Sequence, residues 1–258
     1  MTGRTHEAHS AHREKLAGLL DRHVPTAARF IRAILQGRFE TFPPRLVYAA
    51  PELHHAILER FNYFGGTFFE AGANDGLSFS NTAYLERYLG WRGVLVEAIP
   101  HKFVECRLNR PKSDVLHAAL VGRTYQDQHV RIRYSNLMSI AEGPTRLDVA
   151  AHVEGGKQFL RADRALSGEI FVAPARTVSE IFDASGLATV DLFSLDVEGS
   201  ELEVLEGIDF SRHRPKTFII ETDSISSTMS LLNENGYERV ARLTERDFLV
   251  ADARCIST

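Results

Sequence analysis

The sequence predicts an α/β fold with a mostly parallel sheet of seven strands flanked by helices. From Thr67 onwards, short apolar runs alternate with amphipathic stretches, which is the sequence form of βα units. Many of the apolar runs end in a polar or acidic residue, as buried strands do where they reach the rim of a sheet. The predicted strands are 67–71, 93–97, 114–119, 190–196, 216–221, 237–241 and 247–251. The predicted helices are 79–89, 100–109, 177–185, 199–207 and 225–235.

Two segments lie outside this alternation. Residues 1–60 carry apolar residues at helical spacing and form an N-terminal helical extension before the main domain at 61–258. We expect the extension to make a homodimer contact or part of the substrate wall. Residues 122–170 are rich in Arg, His and Gly, and they interrupt the pattern between the third and fourth strands. An insertion there is placed to cover a substrate, although a surface loop without function has the same composition.

Composition excludes several classes of protein. The formal charge of −4 provides no basic excess for nucleic acid, so we expect none as a partner. Two cysteines, Cys106 and Cys255, have no spacing typical of zinc sites or disulfide frameworks and fit a reducing cytoplasm. No apolar run approaches the roughly 20 residues that span a bilayer, so we expect no membrane span.

The turn after the first strand predicts a cofactor site. The strand ends at Glu70, and Gly72 and Gly76 then allow a tight turn before the next helix. The third glycine of the dinucleotide pattern is missing, which disfavours an NAD(P)-dependent oxidoreductase. A carboxylate here would repel a pyrophosphate but suits the ammonium and sulfonium of S-adenosylmethionine. The predicted cofactor residues of this turn are Glu70, Gly72, Ala73, Asn74, Asp75 and Gly76. The alternative is an ordinary βα turn with Glu70 in solvent.

The second and third strands extend the predicted site. Glu97 ends the second strand about 20–30 residues after the glycine turn, where a ribose-binding carboxylate belongs. Ala118 and Ala119 end the third strand and leave room for an adenine ring. A solvent-facing Glu97 and ordinary tight packing at the two alanines are the alternatives.

Acidic residues also follow the fourth and fifth strands. Asp196, Glu198, Glu221 and Asp223 can converge at one edge of the sheet. Such carboxylates accept a proton from a substrate hydroxyl or bind a divalent cation that lowers the pKa of the hydroxyl. We predict Asp196 and Glu198 as catalytic residues, and Asp196, Glu221 and Asp223 as ligands of Mg²⁺. The alternative is that some of these acids cap helix N-termini, and Ser200 with Glu203 has the spacing of a capping box.

Three histidines are candidate bases by residue type. His101, His117 and His152 are not distinguished by position, and an ordinary structural role is expected for each. His152 lies in the predicted insertion.

Three motifs resemble the FkbM family of methyltransferases. They are residues 70–76 (EAGANDG), 89–97 (LGWRGVLVE) and 191–205 (DLFSLDVEGSELEVL), and the resemblance extends over about residues 64–252. It implies a Rossmann-like class I methyltransferase fold, S-adenosylmethionine as methyl donor, and O-methylation of a hydroxyl on a sugar, glycan or polyketide-type natural product. By matched position, the turn would hold the methionine part, Glu97 the ribose, and Asp196 with Glu198 would lie beside the transferred methyl. A non-catalytic binding protein of the same fold remains the main alternative.

Overall fold

The computed structural model describes residues 48–142, 154–156, 158, 166–187, 189–223 and 225–256. The segment Tyr48–Thr258 belongs to one compact unit. Residues 1–47, which hold most of the predicted helical extension, and His152 lie outside the described residues.

The strands are numbered in chain order. They are β1 (Thr67–Ala71), β2 (Arg92–Glu97), β3 (Asp114–His117), β4 (Ala119–Leu120), β5 (His129–Arg133), β6 (Ile140–Ala141), β7 (Ile170–Arg176), β8 (Leu192–Leu195), β9 (Thr217–Glu221), β10 (Tyr237–Arg242) and β11 (Asp247–Asp252). The helices are α1 (Pro51–Phe61), α2 (Ala83–Leu89), α3 (Pro100–Asn109), α4 (Val178–Ser185), α5 (Glu201–Glu206), α6 (Ile225–Glu234) and α7 (Ala253–Ile256).

The predicted seven-stranded, mostly parallel sheet is confirmed. Its strand order is β10-β11-β9-β8-β1-β2-β3. Strands β3, β2, β1, β8 and β9 run parallel, whereas β11 runs antiparallel to both of its neighbours. The strand order reverses between β1 and β8, because β2 and β3 lie on one side of β1 and β8 and β9 on the other. Open α/β sheets bind ligands at such a switch point.

Both faces of this sheet are covered. Phe69 and Phe193 lie in one core cluster, and Phe68 and Leu192, which precede them in the same strands, lie in the other. Successive side chains of a strand point to opposite faces, which explains why the strands are apolar throughout instead of alternating. Helix α1 packs into the second cluster through Leu53, Ile57 and Phe61, so this compact unit begins before residue 61.

A second sheet lies partly within the predicted insertion. It has four strands in the order β4-β7-β5-β6. The strand predicted at 114–119 ends in the main sheet at His117, and the chain joins the second sheet at Ala119. In β5, Val130 and Ile132 are buried while His129 and Arg131 are exposed, which is the alternation expected of a strand with one buried and one solvent-exposed face.

One local prediction is wrong. Ser200 precedes α5 but makes no side-chain capping bond, and the backbone N–H of Gly199 instead donates to the Glu201 carboxylate at 2.8 Å. A full capping box occurs at α4, where Thr177 accepts from the Glu180 N–H and the Glu180 side chain accepts from the Thr177 N–H.

Candidate active site

A cleft opens at the carboxyl ends of β1, β2 and β8 and is closed on one side by the second sheet. It encloses about 1030 Å³, including the part open to solvent. Among the predicted site residues, the cleft is lined by Glu70, Gly72, Ala73, Asn74, Glu97, Ala118, Ala119, Asp196 and Glu198. The fold thus brings most of the site residues predicted from the sequence together around one cavity.

Backbone strain is concentrated at this cleft. Four described residues other than glycine have positive φ: Asn74 (48°), Phe79 (60°), Asn136 (54°) and Glu198 (53°). All four line the cleft. Left-handed backbone is unfavourable for side chains with a Cβ and persists where the surroundings impose it, typically at binding and active sites.

The turn after β1 is held by its own carboxylates. Asp75 accepts from the N–H groups of Leu77 and Ser78 at 2.8 and 2.7 Å, and it does not line the cleft. Gly76 also lies behind the cleft wall, where an added Cβ would come within 2.9 Å of the Cys106 sulfur. These two positions shape the turn, and Gly72, Ala73 and Asn74 form its cleft surface.

The carboxylate of Glu70 is buried and fully engaged. It accepts from Ser80 Oγ at 3.0 Å, from the Asn81 N–H at 3.0 Å and from Thr82 Oγ1 at 2.5 Å. The alternative of a solvent-facing Glu70 is therefore wrong, because its side chain ties the following loop to the end of β1.

Two asparagine oxygens offer acceptors to a ligand. Asn74 donates its side-chain N–H to Asn136 Oδ1 at 3.4 Å, and Asn81 donates to Ser194 Oγ at 2.9 Å. The Oδ1 atoms of Asn74 and Asn81 are buried and have no hydrogen-bond partner among the described residues. Buried amide oxygens are rarely left unpaired, so these two suit a ligand that brings N–H donors.

Glu97 is buried at the end of β2. Its carboxylate accepts from the Asn74 N–H and the Ile99 N–H, each at 2.7 Å. Burial raises the pKa of Glu97, and these backbone N–H groups oppose the rise. The carboxylate therefore joins the turn after β1 to the end of β2, beside the small Ala118 and Ala119.

Asp196 and Glu198 form the acidic side of the cleft. Burial first, and then the charges of Glu221 and Glu198, raise the pKa of Asp196 well above its usual value. Burial, reinforced by the charge of Glu221, raises the pKa of Glu198 to about 7. A carboxyl that titrates near neutral pH can exchange a proton with a ligand hydroxyl.

The predicted magnesium site is not supported. Arg246 forms ion pairs with Glu221 at 2.8 Å and with Asp223 at 2.8 Å, so a guanidinium holds these two acids. Neither acid lines the cleft. Within the described ranges, no group of three or more His, Cys, Asp or Glu side chains could hold a metal ion.

Two of the three candidate histidines, His101 and His117, lie in the described part of the chain and have structural surroundings. The ring of His117 stacks on Phe103 at 5.4 Å, and its Nε2 lies 3.0 Å from the Ala98 carbonyl oxygen. His101 packs edge-on against Tyr134 at 4.9 Å. Neither histidine lines the cleft.

Besides Ser78, Phe79, Ser80 and Asn81 in the loop after β1, sequence reasoning missed two groups of cleft-shaping residues. The first comes from the second sheet and its turn, which contribute Val130, Ile132, Asn136, Leu137, Ser139 and Ala141 to the cleft. The period-2 pattern of residues 129–133 was the available signal. The second is Arg110, a buried side chain behind the loop after β1, for which the sequence carried no periodic signal.

No described helix combines the length and apolarity needed to cross a membrane.

Comparison with known proteins identifies a family. The family model described as "Methyltransferase FkbM domain" matches residues 70–239. No curated protein matches the chain. Among solved structures, precorrin-6y C5,15-methyltransferase from Geobacter metallireducens is 11% identical, with a TM-score of 0.43 and coverage of 83% of this chain and 94% of that one. A methyltransferase from Pyrococcus furiosus is also 11% identical, with a TM-score of 0.40 and coverage of 89% and 98%.

Proposed function

This chain belongs to the FkbM family of S-adenosylmethionine-dependent methyltransferases, and we propose that it methylates a hydroxyl of a sugar, glycan or polyketide-type natural product. The observation that carries the choice of a hydroxyl is Glu198, a carboxyl in the cleft whose pKa is raised to about 7. A hydroxyl acceptor has to lose a proton as it is methylated, and a base that titrates near neutral pH fits that need.

The residues of the cleft fit the donor. The unpaired oxygens of Asn74 and Asn81 can accept from its ammonium group, and the Glu97 carboxylate can accept from ribose hydroxyls. Ala118, Ala119 and Ile132 all line the cleft and offer apolar surface to a flat base. When bound, S-adenosylmethionine supplies an electrophilic methyl group on a sulfonium.

The two acids take different roles in this proposal. Glu198 accepts the proton of the acceptor hydroxyl while the oxygen forms its bond to the methyl carbon and the carbon–sulfur bond breaks. Asp196 is the weaker candidate for a base, because burial and the charge of Glu221 raise its pKa well above the usual range and keep its carboxyl protonated. In this proposal, Asp196 instead provides a polar group in the wall of the cleft, beside the reacting atoms.

Acceptor choice is proposed to lie with residues 122–170. This proposal is supported by the second-sheet residues along one wall of the cleft, among them Val130, Asn136 and Ser139. The alternating small polar and apolar side chains of that wall suit an acceptor with both hydroxyls and apolar ring faces.

The donor site is tested by isothermal titration with S-adenosylmethionine and S-adenosylhomocysteine. The variants are Glu97→Gln and, as a control of the same chemistry, Glu59→Gln on the exposed side of α1. We expect the wild type and the control to bind both compounds, and Glu97→Gln to bind at least about tenfold more weakly, because it loses charge-assisted hydrogen bonds. No binding by the wild type would overturn the proposed donor site.

The transfer step is tested with a labelled methyl group and a panel of hydroxylated sugars and natural products. We expect a methyl ether as product, and we expect Glu198→Gln to lower kcat by about a hundredfold or more while S-adenosylhomocysteine affinity is retained. Glu203→Gln, at an exposed position of α5, is the matched control. A product methylated on nitrogen or carbon contradicts the hydroxyl assignment, and binding without transfer to any compound of the panel favours a binding protein.

A further inference from the structure

Arg110 is a fully buried arginine that lies outside the cleft. It follows the last residue of α3, and its side chain has 0% exposure. Its Nε donates to Glu86 at 2.8 Å, its Nη1 to the Gly76 carbonyl oxygen at 3.0 Å, and its Nη2 to Thr82 Oγ1 at 2.9 Å. Every nitrogen of the guanidinium therefore contacts α2 or the loop that leads into it.

We name residues 76–82 the cleft loop. Its middle residues, Ser78, Phe79, Ser80 and Asn81, line the cleft, and its two ends accept from Arg110. Arg110 Nη1 also donates to Ser80 Oγ at 3.1 Å. The guanidinium thus fixes this loop at its first, fifth and last residues from the side opposite the ligand space.

The same network fixes Asn81. Glu70 accepts from the Asn81 N–H at 3.0 Å, and its other oxygen lies 3.5 Å from Arg110 Nη1. Glu70 and Glu86 are both buried and share Arg110 as a counter-charge. Removing the guanidinium would leave two buried carboxylates without a counter-charge, so the loop that depends on them would rearrange.

We propose that Arg110 is a positioning residue that holds Asn81 against the methionine part of the cofactor without contacting the cofactor. The inference rests on the proposed function. It is specific to one end of the ligand, since the hydrogen bonds of Arg110 reach none of Glu97, Ala118 and Ala119, which border the space proposed for adenosine. A lysine has one nitrogen and cannot replace three diverging donors.

The test compares two ligands that differ at one end. S-adenosylhomocysteine carries the amino-acid part, and 5′-methylthioadenosine lacks it. For Arg110→Lys we expect the Kd of S-adenosylhomocysteine to rise at least tenfold and that of 5′-methylthioadenosine to change by less than about twofold. Arg107→Lys, an exposed position on the same helix, is the control and should leave both constants unchanged.

A second variant, Thr82→Val, tests the same inference if Arg110→Lys does not fold. Thr82→Val keeps the side-chain volume and removes one acceptor of Arg110 and one donor to Glu70, and we expect the same selective loss at smaller size. Thermal unfolding is recorded for each variant. Equal weakening of both ligands would mean that Arg110 only supports the fold, and unchanged S-adenosylhomocysteine affinity would overturn the inference directly. A wild type that binds neither ligand removes the proposed function itself, which is a distinguishable result.

Discussion

The close approach of Gly72 to the end of β8 can be tested by replacing this glycine with alanine, which adds one methyl group. Gly72 has φ of +81°, and a Cβ built there would lie 1.8 Å from the Asp196 carbonyl oxygen. Gly90, which ends α2, has φ of +66° and no atom within 4 Å of the same position. Alanine at either site therefore adopts the same unfavourable backbone, but only at Gly72 does it also collide.

The two variants separate these effects. Left-handed backbone destabilises alanine by about 1–2 kcal/mol, which is the whole loss expected for Gly90→Ala. Forcing a methyl group into a packed position adds about 1–3 kcal/mol, so Gly72→Ala should lose roughly 2–5 kcal/mol in total. The collision also pushes β1 away from β8 at the cleft, so we expect the Kd of S-adenosylhomocysteine to rise by at least about tenfold.

The assays are urea denaturation for the free energy of unfolding and isothermal titration for the Kd. Gly90→Ala should leave the Kd unchanged, which shows that lost stability alone does not weaken binding. Equal stability losses in the two variants, or wild-type affinity in Gly72→Ala, would refute the close approach of the turn to Asp196.

Three further predictions concern stability. Asp252 pairs with two arginines that depress its pKa. The stabilisation is fully present above the unfolded pKa of about 4 and is lost as pH falls towards the depressed folded pKa, so Asp252→Asn should lower the free energy of unfolding more at pH 7 than near pH 2. The pKa of Glu198 is raised to about 7, so the wild-type protein loses stability as this carboxyl becomes charged with rising pH. The difference in the free energy of unfolding between Glu198→Gln and the wild type should therefore favour the variant more at pH 8 than at pH 5. An equal difference at both pH values would contradict this. Thr177→Ala removes a capping box and should lose about 1 kcal/mol in urea denaturation, whereas Thr177→Ser should lose less.

The main sheet could be predicted from the sequence because its strands are short, apolar and separated by amphipathic helices. Its buried residues, such as Phe69 and Phe193, leave little choice of element. The second sheet could not be predicted with the same rules. Strand β5 carries His129, Arg131 and Arg133, and its alternation extends over few residues between long polar stretches. Its pairing with β7 joins residues about forty apart in the chain, and local pattern does not reveal such pairing.

The candidate site divides in the same way. Strand-end residues such as Glu97 and Asp196 follow from the position of a carboxylate after a buried strand. The magnesium prediction is not supported by the structure, because strand ends show which acids are near one another but not which cations reach them. Arg246 belongs to the turn before β11, distant in sequence from Glu221, and its ion pairs became visible only in three dimensions.

The parallel pairing of β4 with β7 has a consequence for engineering. Ala119 pairs with Ala175 and Leu120 with Arg176, so the chain leaves and re-enters the core of the domain at neighbouring points. We therefore expect the segment between those points to be exchangeable between relatives as one unit, because its two junctions lie side by side and the turn after β1 and the end of β2 are not part of it. If residues 122–170 choose the acceptor, as proposed, chimeras joined at these two pairs should keep the turn after β1 and Glu97 of one parent and acquire the acceptor preference of the other.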